Sequence, residues 1–126
     1  MNIQEFIENK HINIKVKPRL FNPNIDSEDM DHWTVYLNVG GRRMNFAYSM
    51  GSGHNGKEPD LEGVLECLAS DVSCSQGTFK EFCSDLGYNE DSRKAEKIYL
   101  ACRRIKQGLV RLVGLSGIDE LLEVEF

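Results

Sequence analysis

The strongest restriction on the fold comes from residues 33–48, where two runs of alternating apolar and polar side chains flank a pair of glycines. The apolar positions of the two runs are Trp33, Val35, Leu37 and Val39, then Met44, Phe46 and Tyr48. Such alternation is typical of strands with one buried face. Two consecutive glycines suit a type I′ turn, because both of its central positions need a positive φ. The pattern predicts a β-hairpin that turns at Gly40-Gly41.

The segment before the hairpin adds a short helix and a further strand. Apolar residues at helical spacing follow Asn2, and Ile12, Ile14 and Val16 alternate with polar residues. Pro18 and the polar run 22–29 predict the loop that ends this strand.

Near Asp60 the hydrophobic period changes from two to three-and-four, which predicts helices. Asp60 caps a first helix with an apolar stripe over residues 61–72. Thr78 with Glu81 forms a capping box for a second, which ends at Gly87. Asp91 or Ser92 caps a third and longest helix, which we expect to end at Gly114.

The tail 118–126 is either a strand or a helical turn, and the alternation of apolar and acidic residues over 122–126 favours the strand. Together these elements predict an α+β fold, in which a small antiparallel sheet packs against three helices after the hairpin.

Length and composition predict one intracellular domain over residues 1–126. A chain of 126 residues with a 40% hydrophobic fraction can build one core. The N-terminus lacks the pattern of a secretory signal and no apolar run is long enough to cross a bilayer, so we expect a cytoplasmic protein. In a reducing compartment the four cysteines are expected to be free thiols, with Cys67, Cys83 and Cys102 on apolar stripes.

Charge is distributed unevenly along the sequence. The net charge of −5 argues against non-specific binding to nucleic acid. Residues 57–91 carry nine acidic and two basic side chains, whereas residues 92–114 carry seven basic side chains and one acidic. These segments are either solvated faces that attract each other within the fold, or a polarised surface that selects a charged partner.

The sequence contains four candidate chemical sites. Gly51–Lys57 matches a phosphate-binding loop, but Glu58 replaces the magnesium-binding hydroxyl and the preceding strand is in a hairpin, so we predict a connector. The cysteines lack the close pairs of zinc sites, although Cys74 and His54 lie in predicted loops.

The same two residues could form a nucleophile and its base, but no orienting third residue is evident. Tyr36 and Tyr48 could stack on bases, although Tyr48 alternates in step with Met44 and Phe46 and is therefore expected to face the core. We therefore predict no catalytic residue, no metal and no cofactor.

Three motifs carry a resemblance. They are Tyr48-Ser49-Met50-Gly51, the run Val64 to Asp71, and the run Phe79 to Cys102, which reads FKEFCSDLGYNEDSRKAEKIYLAC. Over residues 33–113 the chain resembles a group of small proteins carried by bacteriophages, prophages and plasmids. The resemblance implies a phage context, in which small acidic proteins often block a host machine, as anti-CRISPR proteins do.

The leading hypothesis is a phage-encoded, non-enzymatic inhibitor of a bacterial defence machine, such as an anti-CRISPR protein that blocks a Cas effector. An acidic face could mimic a phosphate backbone in the basic channel of the effector. The expected partner-binding residues are Glu58, Asp60, Glu62, Glu66, Asp71, Glu81 and Asp85. In this hypothesis the protein itself binds no nucleic acid and no membrane. The alternative is a phage accessory protein that binds nucleic acid or a nucleotide.

Overall fold

The computed structural model describes residues 1–24, 26, 28–51 and 57–126. Over these residues it contains a three-stranded antiparallel sheet of order β1-β2-β3 and four helices, so the α+β prediction is confirmed. Among the residues described, no helix has the length and apolar character needed to cross a membrane. The elements in chain order are α1 (Ile3–Lys10), β1 (Ile12–Pro18), β2 (Met30–Val39), β3 (Arg42–Gly51), α2 (Leu61–Cys74), α3 (Phe79–Leu86) and α4 (Arg93–Leu122).

The predicted hairpin is confirmed, and β1 extends it on the other side of β2. Gly40 and Gly41 have φ angles of 56° and 90°, as a type I′ turn requires. The turn places Val39 opposite Arg42, and the same register pairs Val39 with Ile12 of β1. The apolar side chains of β2 are buried on the inner face of the sheet.

The helix starts follow the predicted caps. In each of the four helices the cap side chain accepts a hydrogen bond from the backbone N–H three residues later, and these caps are Asn2, Asp60, Thr78 and Ser92. Gly87 ends α3 with a φ of 74°, in the left-handed region that favours glycine. These boundaries are set locally, because each cap satisfies backbone groups of its own first turn.

The core lies between the inner face of the sheet and α2, and α1 and α4 enclose it. The stripe of α2 that was predicted to be apolar is almost completely buried, at Val64, Leu65, Leu68 and Val72. A second cluster lies between α3 and the first half of α4, and consists of Phe82, Cys83, Ala95 and Tyr99.

One prediction for the C-terminal region is confirmed and one is wrong. Gly114 has φ 74° and ψ 173°, which is not helical, so the predicted helix ends there, and a second helical segment completes α4 up to Leu122. The predicted strand over 118–126 is reduced to an isolated parallel bridge between Glu125 and Asn2. The helical arrangement wins because it buries Ile118 and Leu121 in the main core.

The four cysteines differ in exposure, although three of them were predicted to lie on apolar stripes. All four are free thiols, and Cys83 and Cys102 are buried as expected. Cys67 is exposed, because its position on α2 faces an open groove rather than the core.

Candidate functional site

A groove of about 1540 Å³ runs between β3, α2 and α4. Its apolar wall is formed by side chains of all three elements, among them Met44 and Phe46 of β3, Leu68 of α2, and Ile98 and Ile105 of α4. The three elements belong to the main core, so the groove is a continuation of core packing to the surface.

Gly108 brings α4 close to the strand at this groove. A Cβ atom at Gly108 would lie 2.8 Å from Cε and 3.2 Å from Sδ of Met44, so the glycine makes room for the methionine side chain. Glycine in a helix interior costs about 1 kcal/mol relative to alanine. Packing of the Met44 side chain against Gly108 therefore offsets part of that cost.

Five exposed cations border the groove. Arg42 and Arg43 come from β3, and Lys97, Arg104 and Arg111 come from α4. The three residues of α4 are spaced by seven, which places them on one stripe of the helix. None of the five forms an ion pair with any residue that the structure describes.

Arg42 also connects the strand to the helix. Its Nη1 donates a hydrogen bond to the backbone carbonyl of Arg111 at 3.1 Å. This bond joins the Arg42 guanidinium, next to the hairpin turn, to the backbone of α4. The Arg42 side chain is therefore restrained at the border of the groove.

Two titratable groups that line the groove, Tyr48 and Cys102, have raised pKa values. The Tyr48 hydroxyl lies 3.4 Å from Sγ of Cys67, and burial together with this contact raises the pKa of Tyr48. The Cys102 thiol donates to Oδ1 of Asp71 at 3.9 Å. Burial, then the neighbouring Asp71 carboxylate, raises the pKa of Cys102 to about 11. At neutral pH these groups supply neither a phenolate nor a thiolate.

The seven carboxylates predicted to bind a partner do not form one surface. Glu58, Asp60, Glu62 and Glu66 are exposed around the start of α2. Asp71 lines the groove instead, nine residues after Glu62 and therefore on the opposite side of α2.

The two carboxylates on α3 are separate from that group. Glu81 and Asp85 are exposed on a helix that packs in the second hydrophobic cluster. Asp60 has a structural role as well, since its side chain caps α2 through a 2.7 Å hydrogen bond from the Gly63 N–H.

The structure describes only some of the other candidate ligands and nucleophiles. Cys74 is half-buried, and His54 and the central part of the glycine-rich segment lie outside the described residues. Among the residues that are described, no group of His, Cys, Asp and Glu has the arrangement to hold a metal ion. Tyr36 and Tyr48 point to opposite faces of the sheet, and Tyr48 faces inward as its phase predicted.

The sequence reasoning missed the groove and the arginine pair of β3. The basic character of α4 was evident, but the helix distributes its cations over two sides. Arg103 and Lys106 line a second cleft beside the α2–α3 connection, whereas Lys97 and Arg104 line the groove and Arg111 borders both. The spacing of seven between these last three was the available signal.

Comparisons with protein-family models, with curated proteins and with solved structures found no match to this chain.

Proposed function

We propose that this chain is a non-enzymatic binding protein that takes an anionic segment of its partner into the groove between β3 and α4. The observation that carries the proposal is the set of five cations on an apolar groove, with no ion-pair partner among the described residues. Cations in surface ion pairs are already neutralised, whereas these five are available to an incoming ligand.

The apolar wall strengthens the proposal. Charges beside low-dielectric surface interact more strongly than charges fully surrounded by water. Such a groove concentrates its positive field at one place on a protein whose net charge is −5. The proposed binding is therefore specific to this face and does not require a basic protein overall.

The chemistry of the groove favours binding over catalysis. Its tyrosine and its buried cysteine both have raised pKa values, which removes them as bases or nucleophiles near neutral pH. We further propose, from the sequence motifs alone, that the partner belongs to a bacterial defence machine. The proposal is an inhibitor that acts in the cytoplasm of the bacterial host, and an anti-CRISPR protein is one form of it.

The proposal is tested by charge reversal at the groove. We expect Arg43→Glu with Arg104→Glu to weaken binding of fluorescein-labelled polyglutamate at least tenfold, measured by fluorescence anisotropy at low and moderate salt. Reversal removes attraction and adds repulsion, so the loss should shrink as salt rises. The control is Lys94→Glu with Arg103→Glu, which makes the same charge change on α4 outside the groove. Equal losses in both variants would contradict a groove-specific site.

In a second candidate function, the acidic residues around the start of α2 form the contact with the partner. Glu58, Asp60, Glu62 and Glu66 are exposed together, and none forms an ion pair within the described chain. These carboxylates could mimic nucleic-acid phosphates towards a Cas effector. Glu62→Lys with Glu66→Lys tests this in an assay of effector cleavage. Loss of inhibition in this variant alone, with the groove variant still active, would select the acidic face as the contact.

A further inference from the structure

The free edge of β3 lies along the groove. β3 is at one side of the sheet in the order β1-β2-β3. Residues 42–48 all line the groove, without a gap. Since successive side chains of a strand point to opposite faces, seven consecutive residues border one groove when that groove runs along the edge of the strand. The ligand site therefore includes the backbone of β3 as well as its side chains.

The register shows which backbone groups face this edge. A two-residue turn makes Val39 and Arg42 a hydrogen-bonded pair, so Met44, Phe46 and Tyr48 also bond to β2. The intervening residues direct their N–H and C=O groups away from β2, towards the free edge, and they are Arg43, Asn45, Ala47 and Ser49. No hydrogen bond reaches these backbone groups from any described part of the chain.

We infer that the groove binds an extended acidic peptide, which adds to β3 as a fourth strand. The inference rests on the proposed function and names the partner. Unpaired strand edges accept a further strand through main-chain hydrogen bonds, and flanking side chains supply the specificity. Here the flanking side chains are cationic on both sides of the edge, with Arg43 on the sheet and Arg104 and Lys97 on α4. Aspartate and glutamate in the added strand complement them.

The backbone chemistry favours a peptide over the other anionic occupants. The outward groups of β3 alternate between N–H donors and C=O acceptors, so the ligand backbone must accept and donate in turn. A peptide does both, whereas the phosphodiester backbone of nucleic acid only accepts. A second copy of this chain, paired by a two-fold axis, would bring two identical sets of five groove cations together.

The experiment uses a nine-residue peptide of alternating valine and glutamate, with isothermal titration calorimetry on the full chain. Two derivatives carry N-methyl groups on every second amide, in one phase or the other. In one phase the methyl groups remove the donors that face β3, and in the other they point away from it. We expect the parent peptide to bind, together with the derivative whose methyl groups point away from β3. The derivative whose methyl groups remove the donors facing β3 should bind at least tenfold more weakly. Equal binding of both derivatives would overturn the inference.

A variant of the protein supplies the reciprocal test. The N–H of Ala47 points to the free edge, where proline is tolerated because no bond to β2 is lost. Ala47→Pro should weaken peptide binding at least tenfold, and Ala47→Ser, which keeps the backbone N–H, measures the effect of a side-chain change alone at this position. Far-UV circular dichroism checks the fold of both. In the wild-type protein, peptide should slow hydrogen exchange at the amides of residues 43, 45, 47 and 49.

The outcomes separate this inference from the proposed function. If Ala47→Pro binds peptide and polyglutamate as the wild type does, charge alone holds the ligand, and the inference fails while the proposed function stands. Binding of a single-stranded oligonucleotide without any binding of the peptide would identify nucleic acid as the occupant and would also overturn the inference. If the wild-type protein does not bind polyglutamate, the proposed function itself is wrong.

Discussion

Asp71 is the single carboxylate among the described residues that line the groove, and five cations line the same groove. Burial raises its pKa above the ordinary value of 3.8, and the hydrogen bond from Cys102 acts in the opposite direction with a smaller effect. The folded protein therefore holds this proton more tightly than the unfolded chain. The resulting stabilisation is complete below the unfolded pKa and is lost as pH rises through the folded pKa, so ionised Asp71 reduces stability at neutral pH.

Replacing Asp71 with asparagine should raise the urea midpoint at pH 7 and leave it unchanged at a pH well below 3.8. The same change makes the groove more positive, and we expect polyglutamate to bind about threefold more tightly. Asp85→Asn is the control, because Asp85 is exposed on α3, away from the groove. A lower midpoint for Asp71→Asn at pH 7 would mean that the charged form stabilises the fold.

At the level of the elements, α4 depends on its break at Gly114. The φ of 74° and ψ of 173° belong to a region that is essentially open to glycine alone. This break redirects the second part of the helix so that Ile118 and Leu121 reach the main core. A straight helix through this point would place those side chains elsewhere.

Gly114→Ala should therefore destabilise the protein by about 1–3 kcal/mol, measured by urea denaturation. Gly108→Ala in the same helix is the matched control. There the gain in helix propensity of about 1 kcal/mol opposes the displacement of the flexible Met44 side chain. We expect a net change below about 1 kcal/mol at Gly108. Similar effects at the two glycines would show that the backbone angle at Gly114 is unimportant.

In the molecule as a whole, the two ends of the chain close the same core. Ile3 and Phe6 of α1 pack in one hydrophobic cluster with Leu121 and Val124. The N–H of Glu125 donates to the carbonyl of Met1 at 3.3 Å, which joins the termini directly. The prediction of one domain over residues 1–126 therefore has a direct test at the C-terminus.

Leu121→Ala should cost about 2–5 kcal/mol, since Leu121 is 1% exposed, and Leu122→Ala should cost less than about 1 kcal/mol, since Leu122 is 37% exposed. If the chain is one cooperative unit, the Leu121 variant should show the same unfolding midpoint by Trp33 fluorescence and by far-UV circular dichroism. Separate transitions for the two probes would divide the chain into independent units.

The sequence by itself determined the features that depend on neighbouring residues. The alternation around Gly40-Gly41 specified the hairpin, and Asp60, Thr78 and Ser92 specified three helix starts, because turn angles and capping bonds involve only a few consecutive residues. The change of hydrophobic period near Asp60 was sufficient for the α+β class.

Only the tertiary structure decided the groove and the C-terminal region. Arg43 and Arg104 are 61 positions apart in the sequence, and they border one groove because α4 packs against β3, with Gly108 next to Met44. Asp71 belonged to an acidic segment by sequence, yet helix rotation separates it from Glu62. The tail became helical because burial of Leu121 outweighed its alternating pattern. Each of these results depends on contacts between distant segments, which periodicity along the chain does not encode.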